Sequence, residues 1–172
     1  MKPTARTLQA LLMGMVALTL TSCTATDRPA DPYPGAPTHR TPYDSKYERV
    51  RLHLTEARAK ITYTPEQPDR DYWQLPAETE TLGTGDCEDM AIWLYARMKH
   101  DGLQPVRLCI GKHTADAALM HAWLIWRYKN SLYILDPSIS AKPLRQDKIR
   151  AGDYVPHYSF DGDRKWRHEA AG

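Results

Sequence analysis

Cysteine is scarce in this chain, with three in 172 residues at positions 23, 87 and 109. Neither a Cys-x-x-Cys nor a His-Glu-x-x-His string occurs, which excludes the common zinc motifs. An excess of either charge is missing too: 23 Lys and Arg stand against 21 Asp and Glu, for a formal net charge of +2. A balance so close to neutral points to no particular partner. The one basic cluster, Arg164-Lys165-Trp166-Arg167-His168, reads as a solvated C-terminal end rather than a nucleic-acid patch. There is no internal repeat, and no apolar run long enough to span a bilayer as a stable helix, which takes about 20 residues.

The longest apolar run, Leu8 to Leu20, follows Lys2 and Arg6 and has the order of a secretory signal. It ends in Leu20-Thr21-Ser22-Cys23, which resembles the lipobox of bacterial lipoproteins. In that class the signal is cut before the cysteine, and the cysteine is acylated. An ordinary secretory signal cut elsewhere is the alternative, and either one exports the chain. Residues 24–43 carry Pro29, Pro32, Pro34, Pro37 and Pro42 without an apolar period, the pattern of an extended tether. The expected organisation is a signal peptide over 1–22, lipidated Cys23 and tether over 23–43, and one domain over 44–172. Thr24 rather than Asp after Cys23 points to the outer membrane in the familiar sorting pattern.

Within the domain the most informative string is Gly83-Thr84-Gly85-Asp86-Cys87-Glu88-Asp89. Asp86 is placed to cap a helix, with Asp89 completing a capping box three residues on. Met90, Ala91, Leu94, Tyr95 and Met98 then recur at helical spacing up to a stop at Gly102. Cys87 thus sits in the first turn, where the positive end of the helix dipole favours thiolate. A Cys87–Cys109 disulfide is the competing structural reading in an oxidising compartment. Upstream, Tyr47, Val50, Leu54, Ala57 and Ile61 predict a helix over 45–61 capped by Asp44. Residues 64–85, with Pro65, Pro68 and Pro76, read as irregular.

Downstream, a strand over 105–111 contains Cys109, and 112–120 reads as a loop. His121–Tyr128 and Ser131–Asp136 read as a hairpin turning at Lys129-Asn130, with Asn supplying positive φ. That register sets Tyr128 opposite Ser131 and makes His121 and Asp136 diagonal neighbours on one face. Their Cα atoms then lie roughly 7–8 Å apart, close enough for an imidazole–carboxylate hydrogen bond. A one-residue slip would put them on opposite faces. The trio has the chemistry of a nucleophile, a base and an orienter, with the Cys87 backbone N–H as a candidate oxyanion donor. Taken singly, His121 and Asp136 are ordinary strand residues.

The chain resembles the bacterial transglutaminase-like cysteine proteinases (LapG-like periplasmic proteases) over most of the domain. The resemblance is carried by 71–78 (Asp71 to Glu78), Gly85-Asp86-Cys87-Glu88-Asp89, His121-Ala122, Leu135-Asp136 and the stretch Asp153 to Ser159 followed by Trp166. It implies an α+β papain-like or transglutaminase-like domain with N-terminal helices packed on a small antiparallel sheet. It further implies a Cys87–His121–Asp136 triad cleaving peptide bonds, with a surface adhesin as the substrate class. Calcium is implied at Asp86 and Glu88, with Asp89 the less favoured third acid, and no organic cofactor. Independently, three acids around a thiol that must ionise call for a compensating cation, although acids at a helix start are also ordinary caps. Trp73 either lines the cleft or belongs to the core. Acyl transfer to an amine and a non-catalytic, calcium-stabilised peptide-binding module remain as alternative functions.

Overall fold

The helix expected over 45–61 is α1, Ser45–Lys60. A computed structural model of the protein describes residues 45–65 and 72–169; the signal segment, Cys23, the tether, Asp44 and Asp71 lie outside them. Val50, Leu54 and Ala57 are fully buried, and Ile61 follows them into the core. Residues 72–85, the described part of the stretch read as irregular, are more regular than that reading predicts. A short helix α2, Pro76–Leu82, begins with Pro at its first position and closes on Gly83, whose φ of 65° is left-handed. The Glu78 side chain accepts the Leu75 N–H at 2.7 Å. Pro at a helix start and Gly just past its end are the signals that mark this helix. On either side, β1 (Thr62–Tyr63) and β2 (Thr84–Gly85) form a two-stranded parallel pair, Thr62 beside Thr84 and Tyr63 beside Gly85.

The helix that opens with the candidate nucleophile is α3, Cys87–His100. Its inward face (Met90, Ala91, Leu94 and Met98) meets Val50, Leu54 and Ala57 of α1 and, from the sheet, Val106, Leu124 and Trp126. A polar clasp ties the two helices at their edge. Arg97 donates to Glu56 at 2.8 Å, and Asp101 accepts from Arg49 at 3.2 Å and bonds His53 at 2.9 Å.

The helices cover an antiparallel sheet of six strands in the order β6-β5-β4-β3-β7-β8. These are β3 (Val106–Thr114), β4 (His121–Tyr128), β5 (Ser131–Leu135), β6 (Leu144–Arg145), β7 (Asp153–Asp161) and β8 (Arg164–Arg167). β3 runs three residues into the stretch read as a loop. The hairpin register is the expected one, with Tyr128 opposite Ser131 and Leu124 opposite Leu135. The turn differs in one detail: the positive φ falls on Lys129, at 51°, and not on Asn130.

A bulge in the β3–β7 pairing comes between Ile110 and Gly111, so that Ile110 faces Tyr158 while Gly111 faces Pro156. Gly111 is obligatory there, because a Cβ would lie 2.1 Å from the Val155 carbonyl oxygen and 2.8 Å from the Trp123 ring. Gly111 is also the β3 partner of His121. Among the described residues no helix is long and apolar enough to cross a membrane.

Candidate active site

Local capping places Cys87. The Asp86 side chain accepts the Asp89 N–H and the Asp89 side chain accepts the Asp86 N–H, both at 3.3 Å, as the sequence predicts. Asp89 Oδ1 also accepts the Gln74 N–H at 2.8 Å, which pins the segment leading into α2 against the start of α3. Asp89 is fully buried in this role, which is structural. Cys87 and Cys109 are both free thiols, so the disulfide alternative is not realised. Cys109 lies on β3 in a separate apolar cluster with Trp123 and Ile134.

The Cys87 sulfur is nearly buried and donates to Glu88 Oε2 at 2.9 Å. Burial raises its pKa, the hydrogen bond and charge of Glu88 raise it further, and so does Asp86; the Ala122 backbone N–H, directed at the sulfur, opposes them. The helix N-terminus alone therefore does not deliver a thiolate here. Asp86 shares the problem. Burial, and then its hydrogen bond and repulsion with Glu88, push its carboxyl from 3.8 up to about 7. Ligand atoms of Asp86, Cys87 and Glu88 all lie within 4.8 Å of one another. The close Asp86 and Glu88 carboxyl groups are a donor set suited to a hard divalent cation, which would take the place of the proton on Asp86. The soft thiol is not a calcium ligand, and Asp89, whose oxygens are engaged, stands outside the cluster.

The other half of the site is satisfied. His121 Nε2 and Asp136 Oδ2 are 2.7 Å apart. Asp136 is fully buried, yet the His121 hydrogen bond and charge, together with Ser138 and Tyr154, outweigh desolvation and hold its carboxyl below the ordinary range. An ionised carboxylate only accepts, so Nε2 is the protonated ring nitrogen and Nδ1 is the ring's acceptor. Ser138 donates to Asp136 Oδ1 through its backbone N–H at 3.1 Å and its hydroxyl at 2.6 Å. Tyr154 Oη donates to Oδ2 at 3.0 Å. The loop after β5 is held from α1, where Arg58 donates to the carbonyls of Pro137 (3.1 Å) and Ser138 (2.8 Å).

The fold thus brings the Asp86–Cys87–Glu88 cluster to the start of β4. Ala122, whose N–H faces the sulfur, directly follows His121 in the chain. Trp73 is 44% exposed, which removes the core alternative for it. Sequence reasoning missed Tyr63, Ser138 and Tyr154. Tyr63 is half-exposed, and its phenol is pushed up by burial and then by the acidic groups of Cys87, Asp86, Glu88 and Asp136. The Asp-Pro-Ser string carried a turn signal for Ser138, and Tyr154 lies within the Asp153 to Ser159 stretch of the resemblance, but nothing in the sequence links Tyr154 to Asp136 and nothing marks Tyr63.

A cysteine on a capped helix, set against an antiparallel sheet that supplies a bonded His–Asp pair, is the arrangement of the transglutaminase-like fold, and that is the fold of this protein. Its structural neighbours are LapG, a transglutaminase-like periplasmic cysteine protease. Calcium-bound Legionella pneumophila LapG is 25% identical, with 75% of each chain covered and a TM-score of 0.58. The EGTA-treated form is also 25% identical, over 72% of this chain and 70% of that one, with a TM-score of 0.57. No family model and no curated protein matches the sequence. The likeness to LapG supports a cysteine-protease-like function.

Proposed function

We propose that the protein is a thiol endopeptidase in which Cys87 is the nucleophile, His121 the general base and Asp136 its orienter. The observation that carries this reading is the pair of contacts at the start of β4. His121 Nε2 is bonded to a buried, ionised Asp136, and the next residue directs its N–H at the Cys87 sulfur. His121 Nδ1 takes the thiol proton as the sulfur attacks a peptide carbonyl. The oxyanion that forms is met by backbone N–H groups of the first turn of α3. The imidazolium then protonates the leaving amine, and water, deprotonated by His121, releases the acyl group.

Asp86 and Glu88 would hold a calcium ion through their carboxylate oxygens, as suits a hard cation. Bound there, the ion supplies the positive charge that offsets the acids around the thiol. Calcium-bound and EGTA-treated forms of LapG support calcium as the ion. The substrate is a protein of the envelope, of the surface-adhesin class. Exposed Trp73, Met120 and Ile139, the last two close in sequence to His121 and Asp136, would give a substrate cleft its apolar contacts. Cys23 anchors the domain by its lipid to the outer membrane, and residues 24–43 hold it off the bilayer.

The test compares wild type with Cys87→Ala in the native host, with and without calcium chelation, for cleavage products among envelope proteins. Products that require both Cys87 and calcium are expected. Identical envelope profiles in all four conditions would overturn the endopeptidase reading.

A further inference from the structure

Tyr154 has the least ordinary backbone in the sheet. Its φ is 53°, a left-handed conformation that bulky residues avoid, and it lies near the start of β7. Outliers of this kind persist only where their surroundings over-determine them, and they cluster at functional sites. Here the surroundings are specific. The bulge at Gly111 lets Val155 and Pro156 close onto β3, since no Cβ intervenes. The phenol ring is wedged edge-on between His113, 4.7 Å away at 86°, and Trp123, 5.4 Å away at 72°. Those two rings also enclose His121: Trp123 stacks on it at 6.1 Å, and His113 meets it edge-on at 5.7 Å.

The strained backbone and the wedge deliver one polar atom. Tyr154 Oη reaches Asp136 Oδ2, the same oxygen that His121 Nε2 uses. Ser138 occupies the other oxygen twice over. With four donors on two oxygens, the carboxylate has no freedom to turn about its Cβ–Cγ bond. A rotation would break bonds on both sides at once.

We propose that Tyr154 is a positioning residue, whose hydroxyl joins Ser138 in clamping both oxygens of Asp136 so that His121 is kept in the Nε2–H tautomer with Nδ1 turned to Cys87. This rests on the reading of Cys87, His121 and Asp136 as a triad. Tyr154 touches neither the thiol nor the substrate in this role; it acts only through Asp136. Its effect must therefore vanish when Asp136 can no longer orient the ring.

The experiment is the alkylation rate of Cys87 by iodoacetamide in the full chain with calcium present, for wild type, Tyr154→Phe, Asp136→Asn and the double variant. Phe keeps the ring between His113 and Trp123 and removes only the hydroxyl. Tyr154→Phe is expected to slow alkylation about tenfold, as loss of a hydrogen bond to a charged group would, and to add nothing to Asp136→Asn. Alkylation of Tyr154→Phe at the wild-type rate, or multiplying losses in the double variant, would overturn the proposal. Proton NMR of wild type supplies a readout that does not need the Phe variant to fold. Low-field Tyr154 hydroxyl and His121 Nε2 protons should both move in Asp136→Asn, and a Tyr154 hydroxyl proton insensitive to Asp136→Asn would equally overturn the clamp. If Asp136→Asn and His121→Ala themselves alkylate like wild type, the triad reading has failed instead, and the two failures are distinct.

Discussion

Two buried aspartates sit on either side of this site and ionise in opposite directions. Asp136, at the end of β5, is surrounded by donors and held below the ordinary carboxyl range. Asp86, at the start of α3, faces Glu88 and is pushed up to about 7. Burial acts the same way on both, so the partners decide the outcome. The sheet half of the site is finished by the chain itself: His121, Tyr154 and Ser138 leave Asp136 nothing further to bind. The helix half is crowded with acid, and its thiol is held protonated by the same neighbours that would bind a cation. The proposed base and orienter are thus preorganised, while the proposed nucleophile is surrounded by acid that a cation would offset.

The sharpest way to break this contrast is at its finished end. Asp136→Asn replaces an acceptor-only carboxylate with a neutral amide that can also donate, so the His121 tautomer is no longer fixed, and thiol reactivity at Cys87 should fall on the order of 10²–10⁴-fold, read as an alkylation rate. A loss of only a few-fold would mean that His121 is oriented by its aromatic neighbours alone.

The unfinished end should respond to calcium. At a hundredfold excess over its dissociation constant the ion should stabilise the fold by about 2.7 kcal/mol, seen as a rise in Tm. Because Asp86 holds a proton near neutrality, binding at pH 6–7 should release protons, measurable by calorimetry in buffers of different ionisation enthalpy. Binding without proton release would contradict the raised Asp86 carboxyl.

A smaller effect separates the two aspartates by pH. The folded pKa of Asp86 lies above its unfolded value of about 3.8, so the folded state holds the extra proton between about 4 and 7. Calcium-free stability therefore falls as pH rises through that window. Asp86→Asn, an equally good cap, should flatten the decline. Asp136 has the opposite sign: its folded pKa is lowered, so its contribution is present above the ordinary carboxyl range and is lost as pH falls through the lowered value. Asp136→Asn should leave the 4–7 window unchanged. Tm measured against pH for both variants, without calcium, checks the pair of signs.

Sequence reasoning reached the two halves unequally. Period and register are local properties, so α1, α3, the capping box and the β4–β5 pairing were legible from apolar spacing and turn length. The His121–Asp136 bond followed from the register alone. What escaped depends on contacts between distant segments. Helix α2 was hidden by its prolines, although Pro76 and Gly83 mark its ends. The fourth donor on Asp136 comes from Tyr154, eighteen residues on, through a bulge that only Gly111 permits. The dipole argument for a thiolate at Cys87 does not decide its state, because burial and Glu88 push the thiol up.

The central claim is that His121, held by Asp136, makes Cys87 the reactive thiol of this protein. Its most direct test is the rate at which iodoacetamide alkylates Cys87 in calcium-loaded wild type and His121→Ala, with the buried Cys109 as internal reference. The account predicts selective labelling of Cys87 that slows at least about a hundredfold in His121→Ala. Equal rates in the two proteins, or labelling of Cys87 no faster than of Cys109, would contradict it.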